Sequence, residues 1–299
     1  MDVHGVSMDC NFDEMDLKNR KMLPTEDRFD SGVDSLKEDD IPIMVEDFTH
    51  LRVSAGEEPW KQEITEDGDT FLHLAIIHEA KEHALEMIKL SQNDPFLNKQ
   101  NNQRQTALHL AVITEQPLIV ERLLKAGCDP RLVDESGNTA LHIACKKGSM
   151  TCFAVLTQIQ TQHLRSILTF TNYSGHTCLH LASLYGYLSM VEVLVQLGAD
   201  INAKEQCSGR TALHLAVDLQ NPALVQRLIS LGADVNRLTY GGFAPFHLTF
   251  GRQNTEIQKH LYERTAEALR ELPESEYEDS EEEPSSDEEM YDDITFAGK

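Results

Sequence analysis

One short phrase recurs six times in this 299-residue chain, and it constrains the fold more than any other feature. The copies read TFLHLA, TALHLA, TALHIA, TCLHLA, TALHLA and a degenerate APFHLT. Their histidines, spaced by 36, 33, 38, 34 and 33 residues, are His73, His109, His142, His180, His214 and His247. An internal period of this length indicates a solenoid of stacked units in place of one globular core.

Each copy of the phrase opens a predicted pair of helices. Its threonine suits a helix start, because the hydroxyl can accept from a backbone N–H that otherwise has no partner. A second helix follows, as in LSMVEVLVQL from Leu188, and ends at a glycine such as Gly198, which adopts the left-handed conformation easily. Phrase, period and helix pair are typical of ankyrin repeats. We therefore predict an all-α repeat solenoid of six ankyrin repeats.

Three copies depart from the regular unit. The first has NDPFLN from Asn93 where later copies have a GAD ending, and the third carries an insertion from Gln158. In the sixth, Ala244 replaces the threonine. One long capping helix is predicted there from an apolar stripe of Ile257, Leu261, Ala268, Leu269 and Leu272. A degenerate last repeat also predicts a soft C-terminal end to the stack.

Charge divides the chain into three regions. Residues 1–66 carry 18 acidic and 7 basic side chains, residues 67–271 carry 20 and 18, and residues 272–299 carry 12 and 1. We therefore predict a repeat domain over residues 67–272 between two disordered acidic arms, residues 1–66 and 273–299. Arms of this charge predict a basic partner. They repel nucleic acid and anionic membranes, so we expect neither as a partner.

Three further features of the sequence indicate in which cellular compartment the protein is expected. The start, MDVHGVSMDC, has no apolar core after basic residues, so no signal peptide is expected. Nowhere do about 18 apolar residues run together, so no membrane-spanning helix is expected either. The cysteines form no CxxC pair, and most lie in apolar helical patterns, which suits a reducing compartment.

The sequence holds no pattern for catalysis or metal binding. Metal ligands must converge on one point, whereas stacked repeats place one histidine in each layer, beside its own threonine. No nucleophile motif, phosphate loop or pair of catalytic carboxylates is present in the sequence. We expect structural histidines, no metal, no cofactor and no enzyme activity.

The N-terminal arm contains a candidate phosphorylation switch, DRFDSGVDSLKEDD from Asp27. Ser31 and Ser35 lie four residues apart among acidic residues, and phosphorylation would add about −1.5 to −2 charges to each. The DSGxxS string is the phosphodegron read by the β-transducin-repeat ubiquitin ligase family. Lys21, with Lys18 as a second candidate, stands upstream as a ubiquitin acceptor. The alternative is a solvated acidic loop with incidental serines.

The C-terminal arm is a second candidate signal. Of the 21 residues from 273 to 293, 12 are acidic and none is basic, so this segment cannot collapse into a core. It resembles a PEST segment, and Ser280, Ser285 and Ser286 are followed by acids in the pattern that casein kinase II prefers. A purely solubilising tail is the alternative. Its position directly after the last repeat favours contact with a basic surface held by the stack.

A third candidate signal precedes the repeats. Met44, Phe48, Leu51 and Val53 have the spacing of a leucine-rich nuclear export signal. Such spacing also arises in any amphipathic stretch, which is the alternative interpretation.

In the order of these features the chain resembles the IκB family, the inhibitors of NF-κB. The likeness covers nearly the whole chain and includes DSGVDS, EPWKQEITEDGDTFLHLAIIHEA, HLAVITEQP, GHTCLHLAS, GRTALHLAVDLQNP, GADVNR and LPESEYE. It implies binding of Rel/NF-κB dimers along the stack, with the first two repeats covering the nuclear-localisation segment. It further implies phosphorylation of Ser31 and Ser35 by IκB kinase, then ubiquitylation and proteasomal loss. The implied location is the cytoplasm, with shuttling through the nucleus.

The resemblance also assigns partner-binding residues. It implies that Asp67, Asp69 and Glu79 face the basic localisation segment, and that the last repeat and the acidic tail face the DNA-binding surface. Phe250 stands where the family has tryptophan and is the expected aromatic anchor. Ala80 stands where the family has another acid, which implies a weaker contact there.

Other interpretations remain open from the sequence. Arg20 replaces the family's second acceptor lysine, and Lys18 is the expected substitute. A general ankyrin scaffold or adaptor, with arms that only solubilise it, is the main alternative function. A nuclear coactivator of the same family is nearer in kind, but it is not expected to carry this degron and this acidic tail together.

Overall fold

The computed structural model describes residues 59–159 and 161–273, which form a stack of antiparallel helix pairs. These residues contain twelve α-helices and no strand. In chain order the helices are α1 Phe71–Ile77, α2 Lys81–Leu90, α3 Ala107–Ile113, α4 Pro117–Lys125, α5 Ala140–Lys147, α6 Met150–Ile159, α7 Thr161–Thr169, α8 Cys178–Leu184, α9 Leu188–Gln196, α10 Ala212–Asp218, α11 Pro222–Ser230 and α12 Thr255–Tyr262. The short 3-10 helices are Pro59–Lys61, Pro95–Asn98, His247–Thr249 and Glu267–Leu269. The all-α repeat solenoid predicted from the recurring phrase is confirmed.

The inner helix of each of the first five repeats (α1, α3, α5, α8 and α10) begins at the threonine of the phrase. At α5 the Thr139 hydroxyl accepts from the backbone N–H of His142 at 3.4 Å, and Nδ1 of the histidine accepts from the backbone N–H of Thr139 at 3.3 Å. This reciprocal capping satisfies two backbone donors that a helix start leaves unpaired. The same arrangement occurs at Thr70, Thr106, Thr177 and Thr211.

The outer helices (α2, α4, α6, α9 and α11) bury one apolar stripe each. In α4 the stripe is Ile119, Val120, Leu123 and Leu124, with the spacing of three and four residues that one helix face requires. The turn after α4 is closed by Gly127 at φ 95°, in the left-handed region that glycine adopts without steric penalty. The first repeat has an asparagine in the equivalent turn, and a 3-10 helix, Pro95–Asn98, follows it.

The turns that connect one repeat to the next inner helix form a column of fingers. Successive fingers are joined by single backbone hydrogen bonds. These run from N–H to carbonyl in the pairs Asn102 to Asp67, Glu135 to Gln103, Tyr173 to Ser136, Gln206 to Gly175 and Tyr240 to Ser208, at 2.9 to 3.3 Å. Each finger is therefore held in register by the finger before it.

Stacking of neighbours produces one continuous apolar core from Trp60 to Leu261. Each inner helix packs on the next, α1 on α3, α3 on α5, α5 on α8 and α8 on α10. Full burial of a leucine-sized side chain contributes about 1.5 to 3 kcal/mol, and in this arrangement almost every such contact is with the same or the adjacent repeat. Stability is consequently shared along the stack and depends on neighbours.

The insertion in the third repeat forms a helix of its own. After α6, residues 161 to 169 make α7, whose apolar side chains Leu164, Ile167 and Leu168 are buried. The extra length is thus absorbed on the outer side of the repeat unit, and the register of the next inner helix is preserved.

The single long helix predicted for the C-terminal end is wrong. Helix α12 ends at Tyr262, and Leu272 of the predicted stripe is 57% exposed. The hydroxyl and the N–H of Thr265 both bond the carbonyl of Leu261 at 2.8 Å, and the N–H of Ala266 bonds Oδ1 of Asn236 at 2.9 Å. The N–H of Ala266 therefore bonds the side chain of Asn236 in the fifth repeat and not a carbonyl of the preceding turn, and the helix does not continue.

Candidate partner-binding surface

The histidines of the phrase form a buried row through the stack. Nε2 of His109 lies 3.1 Å from the carbonyl oxygen of Asn138, in the finger of the next repeat, and the same kind of link recurs in later layers. Burial lowers the pKa to about 4 at His73, His180 and His214. These rings are neutral at pH 7, so their role is structural, as their spacing indicates.

A cluster of metal ligands and a membrane-spanning helix are two features that the described part of the chain does not contain. Across residues 59–159 and 161–273, no three His, Cys, Asp or Glu side chains are placed to share a metal ion. In the same residues no helix combines the length and the apolar content that a membrane crossing requires. The residues to which the resemblance assigns partner binding lie at the two ends of the stack.

Three acidic side chains that the sequence assigns to a partner lie at the N-terminal end. Asp67 and Glu79 are exposed, at opposite ends of α1, a helix of seven residues and about 10 Å. Asp69 is 9% exposed, and its carboxylate accepts from Nδ2 of Asn101 at 2.9 Å in the next finger. Burial raises the pKa of Asp69, and the nearby Asp67 carboxylate raises it further. Asp67 and Glu79 are therefore exposed at the surface, whereas Asp69 is engaged in a hydrogen bond within the stack.

Glu79 has an unusual backbone conformation for its residue type. It lies in the turn between α1 and α2 with φ 56°, in the left-handed region. Gly148 and Gly186 occupy the equivalent turn in the third and fourth repeats, with φ 75° and 74°. A glutamate at this position stores strain of about 1 kcal/mol relative to glycine. The second and fifth repeats share this conformation, at Glu115 with φ 55° and at Gln220 with φ 53°.

Sequence reasoning missed two further acids near Glu79. Glu82 and Glu86 are exposed on α2, one turn apart, and so lie on one face of that helix. Their spacing of four residues was a signal in the sequence, but which face of α2 would be outward could be read only from the packing. Lys81 and Lys89 are also exposed on α2, so the surface is mixed in charge, with acids in excess.

The C-terminal end presents aromatic side chains. Phe250 is 40% exposed, and its ring packs edge-on against Phe246 with centroids 5.2 Å apart. Phe246 also contacts Tyr262 at 5.7 Å, and Phe243 in the last finger is 40% exposed. We call Phe243, Phe250 and Tyr262 the C-terminal aromatic patch. Only Phe250 was expected from the sequence, because the others come from separate segments that the fold brings together.

A charged network lies between α10 and the segment that follows Phe250. Asp218 at the end of α10 accepts from Arg252 Nη2 at 2.8 Å and lies 3.0 Å from Arg210 Nη1. Arg252 Nη1 also donates to the carbonyl of Asp218 at 2.6 Å. Burial raises the pKa of Asp218, against the opposing effect of the two arginines. The network joins the fifth and sixth repeats.

The remaining predicted sites lie outside the described residues. They are the phosphorylation candidates Ser31, Ser35, Ser280, Ser285 and Ser286, the ubiquitin acceptors Lys18 and Lys21, and the export residues Met44, Phe48, Leu51 and Val53. These assignments stay predictions.

Comparison with protein families matches two models. The model described as Ankyrin repeats (3 copies) matches residues 45–134 and 115–205, and the model described as Ankyrin repeat matches residues 208–240. Both agree with the helix pairs of the structure.

Comparison with individual proteins gives closer relatives. The chain is 56% identical over 293 residues to NF-kappa-B inhibitor alpha of Sus scrofa, covering 95% of this chain and 93% of the relative. It is 55% identical over 288 residues to the protein of that name from Gallus gallus, covering 93% and 91%. Among solved structures, the ankyrin repeat domain of Bcl-3, described as a member of the IkappaB protein family, matches with a TM-score of 0.62. That match has 36% identity and covers 68% of this chain and 90% of the other.

Proposed function

The chain belongs to the IκB family of ankyrin-repeat NF-kappa-B inhibitors, and from that premise we propose how it inhibits. It binds a Rel/NF-κB dimer along the stack, masks the nuclear-localisation segment and the DNA-binding surface, and is removed by signal-induced degradation. The observation that carries the proposal is identity of 56% to an NF-kappa-B inhibitor over 95% of the chain, a span that reaches into both acidic arms as well as covering the repeats.

The N-terminal end of the stack is the proposed site for the localisation segment. Nuclear-localisation segments are rich in Lys and Arg, and Asp67 and Glu79 offer exposed carboxylates about one inner-helix length apart. Glu82 and Glu86 add acidic charge beside Glu79. Basic residues neutralised on this surface are no longer available to an import receptor.

The C-terminal end is the proposed site for the DNA-binding domains. The C-terminal aromatic patch supplies apolar anchors of the kind that dominate interface energies. Residues 273–299 carry dense negative charge directly after it. A surface that binds DNA is cationic, so this tail competes for the same charges, and electrostatic competition speeds the removal of bound DNA.

The two acidic arms are proposed to regulate the amount and the location of the protein. Phosphorylation of Ser31 and Ser35 by IκB kinase creates a binding site for a β-transducin-repeat ubiquitin ligase, and Lys21 or Lys18 accepts ubiquitin. Casein kinase II adds phosphate at Ser280, Ser285 and Ser286. The export residues return the protein from the nucleus, so it resides mainly in the cytoplasm. The DSGVDS string and the acid-flanked serines support these steps.

Binding of the full chain to a purified Rel dimer, with displacement of a labelled κB-site DNA, tests the proposal. The matched protein carries asparagine or glutamine in place of the 12 acids between residues 273 and 293. Tight binding with slower displacement by the neutral-tail protein is the expected result. Tight binding with equal displacement would return the tail to a solubilising role. Absence of binding would contradict the inhibitor function and favour the general scaffold.

A second pair of variants tests the N-terminal acids. The double substitution Asp67→Asn and Glu79→Gln is expected to weaken binding of a basic localisation peptide by about tenfold, a loss of roughly 1.4 kcal/mol. Glu256→Gln is the control, because Glu256 is exposed on α12 at the opposite end of the stack. If both variants bind the peptide with equal affinity, Asp67 and Glu79 do not belong to its binding site.

We expect Ser31→Ala with Ser35→Ala to separate binding from degradation. The two serines lie in the N-terminal arm, before the first repeat, so Rel affinity is expected to be unchanged. Signal-induced loss of the protein in cells is expected to stop, because the acceptor oxygens that the ligase needs are absent. Pulse-chase measurement of protein half-life after stimulation gives the answer, and a normal half-life change in this variant rejects the degron.

A further inference from the structure

The turn between the inner and the outer helix is bonded to the preceding repeat by a side chain in the second and third repeats. In the second repeat Nε2 of Gln116 donates to the carbonyl of Ile76 at 2.7 Å. In the third repeat the ammonium of Lys147 donates to the carbonyl of Ile113. Both acceptors lie at the end of an inner helix, where carbonyl groups have no partner further along the helix. Each bond holds one turn against the repeat before it.

The sixth repeat has the same link in a charged form. Nη1 of Arg252 donates to the carbonyl of Asp218 at 2.6 Å, and Nη2 donates to Oδ1 of the same residue at 2.8 Å. Nη1 of Arg210 lies 3.0 Å from the other carboxylate oxygen. A guanidinium that bonds a carboxylate is held more strongly than a neutral donor, and two parallel bonds also fix its orientation. This link is therefore suited to hold its turn in one position.

The turn held in this way carries Phe250, the expected aromatic anchor. Phe250 lies two residues before Arg252 and is 40% exposed. Its N–H bonds the carbonyl of His247 at 3.2 Å, and the N–H of Arg252 bonds the carbonyl of Thr249 at 3.2 Å. Both of these backbone bonds stay within the sixth repeat. The side chain of Arg252 is what bonds this turn to the fifth repeat.

The sixth repeat has less local structure to fix this turn than the other repeats have. Its inner helical segment is the 3-10 helix His247–Thr249, with three residues, whereas the inner helices of the first five repeats have seven or eight. Ala244 also lacks the hydroxyl with which a threonine caps the other inner helices. The position of Phe250 consequently depends more on the bonds to the fifth repeat.

We propose that Arg252, held by Asp218, is a positioning residue for Phe250. It fixes the turn in the free protein, so the aromatic ring is already placed when a partner arrives. A side chain that is ordered beforehand loses less conformational entropy on binding, and affinity rises without a new contact. This inference rests on the proposed binding of Rel dimers and deepens it by naming the residues that prepare the anchor.

A double-mutant cycle in the full-length chain tests the positioning role. Affinity for a Rel dimer is measured for Arg252→Gln, for Phe250→Ala and for the two together. Arg252→Gln alone is expected to weaken binding about fivefold. Added to Phe250→Ala it is expected to cause no further loss, because the side chain that it positions is gone. A direct contact of Arg252 with the partner, or a general loss of structure, would weaken both backgrounds equally.

The matched control is Arg227→Gln, which removes another ionic link between consecutive repeats. Nε of Arg227 donates to Oε1 of Glu192 at 2.6 Å and joins the outer helices α9 and α11 of the fourth and fifth repeats. This substitution is expected to leave the affinity unchanged. Urea unfolding of each variant shows whether the stack is intact. Where Arg252→Gln disrupts the sixth repeat, Asp218→Asn replaces it in the cycle, since the backbone carbonyl at that position still accepts from Nη1.

A measurement on the free protein separates this inference from the proposed function. The rings of Phe250 and Phe246 have centroids 5.2 Å apart, so a nuclear Overhauser effect between their protons is expected in the unmodified chain. It is expected to weaken in Arg252→Gln and to persist in Arg227→Gln. If the unmodified chain shows this difference but binds no Rel dimer, the proposed function fails and the positioning role stands. An unchanged effect in Arg252→Gln, or equal losses of affinity with and without Phe250, would overturn the positioning role.

Discussion

At the scale of single residues, the backbone conformation and the proposed function of position 79 favour different residues. Its φ of 56° favours glycine, while its exposed carboxylate serves the proposed contact. We expect Glu79→Gly to raise the free energy of unfolding by about 1 kcal/mol and to weaken binding of a basic localisation peptide. Urea unfolding and peptide titration measure the two effects.

The control for that substitution is Gln220→Gly, in the equivalent turn of the fifth repeat at φ 53°. It is expected to stabilise the protein by a similar amount without changing peptide affinity. Loss of stability in both variants would mean that these left-handed residues are not strained.

The buried histidines predict a pH dependence of stability. The folded pKa of His73, His180 and His214 is lowered from 6.5 to about 4, so protonation favours the unfolded chain. The stability these rings contribute is complete above pH 6.5 and falls as the pH drops from 6.5 towards 4. Each histidine is expected to remove about 1 kcal/mol per pH unit in that window.

Urea unfolding at several pH values above 5 separates this effect from carboxylate titration. His180→Gln and His214→Gln are each expected to flatten the slope, because each removes a buried ring whose pKa is lowered to about 4. A slope that neither substitution alters would contradict the assignment of buried neutral rings.

At the scale of helices, the capping threonines are the most testable parts. The Thr139 side chain is fully buried and bonds the backbone and the ring of His142. Thr139→Ala is expected to lower the free energy of unfolding by about 1 to 2 kcal/mol, since a cap and a packed methyl group are both lost. Thr139→Ser keeps the hydroxyl and is expected to recover most of the loss. Equal destabilisation by both substitutions would show that packing, not capping, sets the cost.

The sixth repeat shows what happens when the cap is missing. Ala244 stands at the threonine position, and the only helical segment that follows directly is the 3-10 helix His247–Thr249. The N–H of Ala244 still donates to Nδ1 of His247, so one of the two capping hydrogen bonds is kept although the hydroxyl is missing. The sequence identified the substitution, and the short helix is its structural consequence.

At the scale of the whole molecule, stability is expected to decline towards the C-terminal end. The inner helix of the third repeat has eight residues and packs between two neighbours, whereas that of the sixth is a 3-10 helix with only the fifth repeat before it. Amide hydrogens of residues 247–262 are therefore expected to exchange faster than those of residues 140–147. Hydrogen-exchange mass spectrometry on the free chain makes the comparison. Equal protection of the two segments would contradict a soft end.

The sequence by itself determined the repeat architecture and the family, and it predicts the signals in the two arms. It could do so because each repeat restates the same local rules: a threonine cap, a helical apolar stripe and a glycine in the left-handed region. Where those rules lapse, as at Ala244, the sequence also located the irregular repeat.

Only the tertiary structure decided which side chains are available and where the stack ends. Asp67 and Asp69 are two aspartates of the same loop, and the sequence does not distinguish them. In the structure Asp69 is buried and accepts a hydrogen bond from Asn101 in the next finger. The helix predicted through Leu272 ends at Tyr262, and the N–H of Ala266 donates to the side chain of Asn236 from the preceding repeat. In both cases the deciding partner lies about 30 residues away in the chain, at a separation where local propensity and periodicity carry no information.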